Sequence, residues 1–309
     1  MDWYYILLII LGVTIVFLII MYVQFLNTFT NRKKLQSILL PDGTYAKYID
    51  TIKENVNYFE NVDKDEVYVE SFDKLKLKGY FVSGGNNKKV LIFFHGFKSS
   101  YKTDLTNAKQ YIDAGYSLLT IEHRAHGGSE GKYITFGVLE RYDCLSWINY
   151  VINRFGSDVE ILLVGVSMGA STIMMASGLN LPSQVKGMIA DCGFTTPKQE
   201  ISYCIKHYYH LPVFLVNILN LYCRVFAKFS LSGASCKEAL AKSNIPILMV
   251  HGDGDDFVPY SCSLENYSAC NMNNKELLTI KCDVHAASYL ENTDLYLEKI
   301  HNFLNSINF

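Results

Sequence analysis

Two kinds of apolar run divide this chain. Trp3 to Leu26 is one unbroken stretch without a charged side chain. As a helix it spans roughly 36 Å, enough to cross the ~30 Å hydrocarbon core of a bilayer with some tilt. Further on the apolar runs are short and lack polar alternation: Val90–Phe94, Tyr116–Glu122, Val159–Val164, Val185–Ala190, Ile245–Val250 and Leu277–Lys281. Such runs read as buried strands of a parallel sheet. Asp104–Ala114, Leu139–Arg154, the stretch from Ala170 to Met175 and Leu295–Leu304 between and after them are helical in spacing or composition. Glu66–Phe72 alternates, and Leu75–Val82 follows directly after Asp73-Lys74, which predicts an antiparallel hairpin at a sheet edge. Strands alternating with helices predict an α/β protein with a mostly parallel, doubly wound sheet. Ligands bind such sheets at the carboxyl ends of the strands, where the polar clusters of this chain fall.

One long segment breaks the alternation. Residues 196–243 have little strand character, and Tyr208–Phe229 inside them is strongly apolar and aromatic, interrupted by Asn217, Asn220 and Arg224. It is too short and too polar for a second span, so a helical lid inserted in the sheet is expected. Its apolar face either holds an acyl chain or packs on the domain. The expected organisation is an anchor with a basic collar over 1–34, a tether over 35–65 with a Pro41-Asp42-Gly43 turn, and the α/β domain over 66–309.

The anchor competes with a cleaved signal peptide. That would want a basic segment first, a shorter apolar core and small residues at the cut, whereas Asp2 is the only charged side chain before the run and Phe25-Leu26-Asn27-Thr28-Phe29 at its end offers no Ala-x-Ala-like site. Trp3, Tyr4, Tyr5 and Tyr22 mark the two ends like interfacial aromatic belts. Arg32, Lys33 and Lys34 oppose Asp2, which predicts the C-terminal bulk on the cytoplasmic side of a cell membrane as a single-pass protein.

Charge and cysteines narrow the classes. A net charge of −2 gives no nucleic-acid footprint. The eight cysteines show no zinc spacing and read as reduced. No Gly-x-Gly-x-x-Gly follows a strand, so neither cofactor nor metal is expected. Oligomeric state is not legible.

The chemistry concentrates at Gly165-Val166-Ser167-Met168-Gly169, between an apolar strand and a helix-compatible stretch. A sharp strand-to-helix turn lifts the Ser167 hydroxyl out of the sheet, and Gly165 and Gly169 avoid clashes on either side. A serine hydroxyl needs a base to become nucleophilic. His285 lies in a loop after the final strand, whereas His95 and His251 precede glycines at strand ends and His126 lies in the loop after Arg124, all with structural readings. His207 and His210 belong to the lid. An acid to orient the base falls at Asp253, Asp255 or Asp256, which spacing alone does not separate. Two backbone amides, of Met168 at a helix start and of Phe97 after His95-Gly96, are the expected oxyanion donors.

Together these residues resemble the α/β-hydrolase superfamily from roughly Val67 onward. Within it the chain resembles the serine-aminopeptidase and acyl-thioesterase-like branch, especially small membrane-anchored hydrolases of low-GC Gram-positive bacteria. The resemblance rests on His95-Gly96-Phe97, Arg124-Ala125-His126-Gly127-Gly128-Ser129, the Ser167 turn, His251-Gly252-x-x-Asp255-x-x-Val258-Pro259 and His285-Ala286, in the order Ser, Asp, His. It implies Asp255 as the acid and an oxyanion amide at Phe97. Glu122 departs from the family's usual Asp, a change that touches loop structure more than chemistry. The implied activity is serine hydrolysis of a small-molecule carboxylic ester, with lipid-derived esters suggested by the anchor and lid. An acyl-thioesterase, a small-peptide hydrolase and a non-catalytic binding protein of the same fold stay open.

Overall fold

The computed structural model describes residues 3–30 and 43–309. The basic collar and the Pro41-Asp42 part of the expected turn lie outside them.

The uniformly apolar N-terminal run forms one helix, α1 (Trp3–Phe29). Residues 3–20 are all exposed, but Met21, Phe25, Leu26 and Phe29 are buried, and Phe25 and Phe29 have no exposed surface. Phe29 O accepts from Ile134 N at 2.8 Å, and its ring packs on Phe136 and Phe229 with centroids 5.5 and 5.9 Å away. The helix therefore ends inside the core of the α/β body. α1 is long and apolar enough to cross a membrane.

The stretch expected to be a tether packed against the domain contains a second helix, α2 (Ile49–Asn61). Ile52 and Phe59, seven positions apart, put their side chains into the core. Its other positions are largely polar, which is why the segment reads as linker when scanned for apolar runs.

Eight strands follow: β1 (Asp65–Glu70), β2 (Lys76–Val82), β3 (Asn86–Phe94), β4 (Tyr116–Ile121), β5 (Glu160–Val166), β6 (Val185–Asp191), β7 (Ile247–Gly252) and β8 (Lys275–Ile280). They form one sheet in the order β1-β2-β4-β3-β5-β6-β7-β8. β1 pairs with β2, and β2 with β4, antiparallel. Every later pairing is parallel. The crossover order changes direction between β3 and β5, where Phe94 is level with Gly165. Such a switch point opens a crevice at the strands' carboxyl ends.

The helix expected over Asp104–Ala114 divides into α3 (Tyr101–Asp104) and α4 (Ala108–Asp113). Asp104 turns inward, accepting from Gly96 N at 2.7 Å and from the Ser99 hydroxyl, so its carboxylate serves the loop after β3. α5 (Glu140–Phe155) and α6 (Met168–Ala176) pack against one face of the sheet. The inserted segment is helical as expected: α7 (Pro197–His207), α8 (Leu215–Tyr222) with a π-helical extension Cys223–Ala227, and α9 (Cys236–Leu240). The apolar run Tyr208–Phe229 is not one helix, because Pro212 interrupts it and helix resumes only at Leu215. The chain closes with α10 (Ser261–Ala269), α11 (Ser288–Glu291) and α12 (Thr293–Ser306), of which α12 covers the sheet face opposite α5 and α6.

Candidate active site

The turn after β5 explains its own composition. Ser167 has φ +55° and ψ −116°, a conformation L-residues rarely adopt. A Cβ on Gly165 would lie 2.5 Å from Gly169 C, and one on Gly169 would lie 1.9 Å from Phe94 O. Neither glycine tolerates a side chain, so strand and helix approach closely enough to push Ser167 forward. Ser167 N donates to Asp191 O at 2.8 Å, anchoring the turn to β6.

The structure brings Ser167, His285 and Asp255 together. His285 Nε2 is 2.9 Å from Ser167 Oγ, and His285 Nδ1 is 2.7 Å from Asp255 Oδ2. The carboxylate is an acceptor, so Nδ1 carries a proton and Nε2 is the free lone pair facing the hydroxyl. Asp255 Oδ1 accepts from Phe257 N and Val258 N, each at 3.0 Å. Burial alone would raise the Asp255 pKa, but hydrogen bonds from His251 and His285 hold it well below the usual carboxylate range. Neither of the other two acids meets His285: Asp253 Oδ1 accepts from Cys282 N at 3.1 Å, and Asp256 is exposed.

Phe97 and Met168 lie on the two loops that flank the serine. Met168 opens α6 directly after Ser167. The His95-Gly96-Phe97 loop runs beside Ser167, since a Cβ on Gly96 would come 3.4 Å from Ser167 Cβ. Asp104 fixes that loop through Gly96 N.

The remaining histidines are structural or distant. His95 has no exposed surface; its Nδ1 meets Gly96 O at 2.8 Å and its Nε2 accepts from His123 N at 3.2 Å. Burial pushes its pKa down to about 3, so it stays neutral. His126 Nδ1 meets Arg124 O at 2.9 Å, and Glu122 Oε2 accepts from Gly128 N at 2.6 Å, both within the loop after β4. His207 and His210 are exposed on the lid.

Four supports were not read from the sequence. His251, expected to serve its own loop, also stands 3.3 Å from Asp255. Tyr45 donates its hydroxyl to His285 O at 2.7 Å, so the segment before α2 clamps the histidine loop. Asp191 accepts from Ser288 Oγ at 3.2 Å and from Tyr296 OH at 3.1 Å, tying β6 to the same loop, and burial raises its pKa to about 6. Arg124 is buried and pairs with Asp143 at 2.7 Å and Asp73 at 3.0 Å beneath the loop after β4. No motif announces these contacts; a lone charged residue ahead of the Gly127-Gly128 pair was the nearest signal for Arg124.

Among the described residues one cluster has metal-ligand spacing: Cys192, Asp255 and His285 offer atoms within 4.8 Å of one another. Burial and the nearby carboxylates push the Cys192 thiol pKa well up, so it remains protonated, and the other two groups are engaged with each other. That donor set suits an acid–base pair beside a small buried thiol rather than a cation.

Comparison with known proteins agrees with this architecture. The family model described as serine aminopeptidase, S33 (Hydrolase_4) matches residues 85–219. YqkD of Bacillus subtilis, itself uncharacterized, is 27% identical over 251 residues, covering 81% of this chain and 82% of that one. The esterase Pf2001 of Pyrococcus furiosus superposes with a TM-score of 0.67 at 19% identity, over 90% of this chain and 98% of that one. Est1E of Butyrivibrio proteoclasticus, solved with ferulic acid bound, gives 0.56 at 21% identity, over 78% and 98%.

Proposed function

We propose that this chain is an α/β-hydrolase, a serine hydrolase of carboxylic esters held at a membrane by α1, a reading supported by the family-model match over residues 85–219 and by the fold shared with esterases. The observation that carries the reading is the continuous relay Ser167 Oγ, His285, Asp255 at 2.9 and 2.7 Å. In it His285 Nε2 takes the Ser167 proton as Oγ attacks the acyl carbon. The oxyanion is held by the amides of Phe97 and Met168. His285 then gives the proton to the departing alkoxide, leaving an acyl-enzyme. Water attacks next, its proton passing to Nε2; the acid leaves and Ser167 Oγ regains the proton. Asp255 stays ionised throughout and stabilises the imidazolium. Such a unit works in a strained, preorganised turn, which is what Ser167 occupies.

Tethering through α1 is supported by its exposed apolar stretch and by the burial of Phe25 and Phe29, which a signal peptide lost on maturation would remove from the core. The arrangement we favour is an anchor over 1–34, a connecting segment over 35–65 and the hydrolase over 66–309 with its lid at about 196–243. Arg32, Lys33 and Lys34 against Asp2 favour a cytoplasmic catalytic domain. Lipid-derived esters fit a tethered enzyme with an apolar lid.

Hydrolysis of p-nitrophenyl esters from acetate to palmitate by the detergent-solubilised full chain, beside Ser167→Ala, tests the reading. Activity lost in the variant supports it, with an optimum at long acyl chains for lipid esters. The match to the serine aminopeptidase model makes aminoacyl p-nitroanilides the informative second substrate set. Turnover of the anilides alone would replace the ester reading with a peptidase one.

A further inference from the structure

The lid carries an apolar face that no described element covers. Every residue from 206 to 214 is exposed, including Tyr209 at 65%, Leu211 at 48% and Phe214 at 61%. α8 and its π-helical extension continue this face with Leu221 at 56% and Val225 at 49%, which follow Phe214 at helical spacing. An exposed apolar patch of this kind marks an interaction site. Its rim is basic: Lys206, Arg224 and Lys228 are exposed, and the sequence holds no Asp or Glu between Ile201 and Lys237.

The same segment grips α1. Tyr222 OH donates to Leu18 O at 2.9 Å, and the Tyr22 and Phe226 rings lie 5.0 Å apart. A hydrocarbon core needs roughly twenty helical residues, so a span beginning at Trp3 runs to about Tyr22. Leu18 then lies roughly 6 Å inside the membrane boundary at that end. The part of the lid that holds Leu18 and Tyr22 is therefore level with the boundary between headgroups and acyl chains.

We propose that residues 206–214 and the outward side of 215–228 form a bilayer-docking surface, seated in the leaflet from which α1 emerges. The occupant is an anionic phospholipid leaflet: apolar side chains enter the acyl region while Lys206, Arg224 and Lys228 extend to the phosphates. This rests on the reading of α1 as a membrane span. It also sets the substrate's route. Tyr208 OH donates to Asp256 O at 3.0 Å, and the Phe257 ring lies 5.0 Å from His285. The docked face thus meets the loops of the candidate triad, and an ester embedded in the leaflet reaches Ser167 without crossing water.

Tryptophan quenching by bilayer-embedded bromine tests the surface. The full chain is reconstituted in vesicles of phosphatidylcholine and phosphatidylglycerol with acyl chains brominated near the headgroup. The parent has two tryptophans. Trp147 has no exposed surface, so quenching of the parent reports Trp3 and hence insertion of α1. Phe214→Trp and Val225→Trp probe the lid, and Leu295→Trp, 40% exposed on α12, probes the opposite side of the sheet. The added emission of the two lid variants should be quenched at least twofold more than that of Leu295→Trp. Equal quenching of all three, with Trp3 quenched, overturns the docking surface while leaving the anchor; a second copy seated on the lid would give this result. An unquenched Trp3 overturns anchor and surface together. Fluorophosphonate labelling of the parent in the same vesicles reports the serine hydrolase reading separately.

Discussion

His251 Nε2 stands 3.3 Å from Asp255 Oδ2, the same oxygen that His285 Nδ1 reaches at 2.7 Å. His251 Nε2 also faces Val258 O at 2.9 Å, and both neighbours are acceptors, so this nitrogen carries the proton. Its Nδ1 then accepts from the Ser263 hydroxyl at 2.6 Å. Asp255 is thereby fixed from one side by a wholly buried imidazole and offered to His285 on the other.

Removing that donor should loosen the acid without displacing the base. His251→Phe keeps a ring in the site and is expected to lower kcat for a soluble ester by about tenfold, with KM within about twofold. Steady-state kinetics at pH 7 decide this; an unchanged kcat would make His251 a packing residue only.

The buried end of α1 has a consequence for stability. Phe25 and Phe29 have no exposed surface, whereas residues 3–20 are all exposed. Phe25→Ala or Phe29→Ala should each cost about 3–5 kcal/mol of unfolding free energy, the usual range for emptying a buried aromatic site. Ile9→Ala, on the exposed stretch, should cost under about 0.5 kcal/mol. Thermal unfolding of the detergent-solubilised chain distinguishes the two groups, and equal effects would detach α1 from the core.

Glu200 predicts a pH effect. It is 4% exposed, Oε2 lacks a hydrogen-bond partner among the described residues, and burial, reinforced by the negative Asp255, pushes its pKa up to about 8. The folded pKa exceeds the ordinary 4.5, so the folded state binds this proton more tightly than the unfolded state. Its stabilising contribution is complete below about pH 4.5 and fades as pH rises through about 8. Glu200→Gln should therefore gain on the parent between pH 5 and pH 8.5, by on the order of 4 kcal/mol. Paired thermal unfolding at the two pH values measures it. A difference that does not change with pH would place the Glu200 carboxyl in contact with water.

What could be read from the sequence, and what could not, follows from range. The sheet was legible because each buried parallel strand is an apolar run: Val185–Ala190 fell one residue short of β6, while Val90–Phe94 caught only the buried part of β3, whose start at residues 86–89 is polar. Ser167 stood out because its turn has a demanding local geometry, and His285 because it follows the final strand, whereas Asp255 stood beside Asp253 and Asp256 and was singled out only by the resemblance. His251 against Asp255 was half visible, since the two share one motif but their contact needs the turn between them. Tyr45 reaching His285, and Asp73 reaching Arg124, join residues far apart in sequence, and no local pattern encodes such pairs. The inner end of α1 was hidden for another reason. A uniformly apolar helix looks alike whether lipid or protein surrounds it, so the run could not show which part of it packs into the core.

The central claim is that Ser167 is an activated nucleophile. Full chain in detergent treated with a fluorophosphonate probe at pH 7.5, digested and mapped by mass spectrometry, tests it most directly. The account predicts near-stoichiometric label on the peptide carrying Ser167, abolished by unfolding and by Ser167→Ala, and strongly slowed in His285→Ala. Folded protein that leaves Ser167 unlabelled, or labels it no faster than denatured protein, would contradict it.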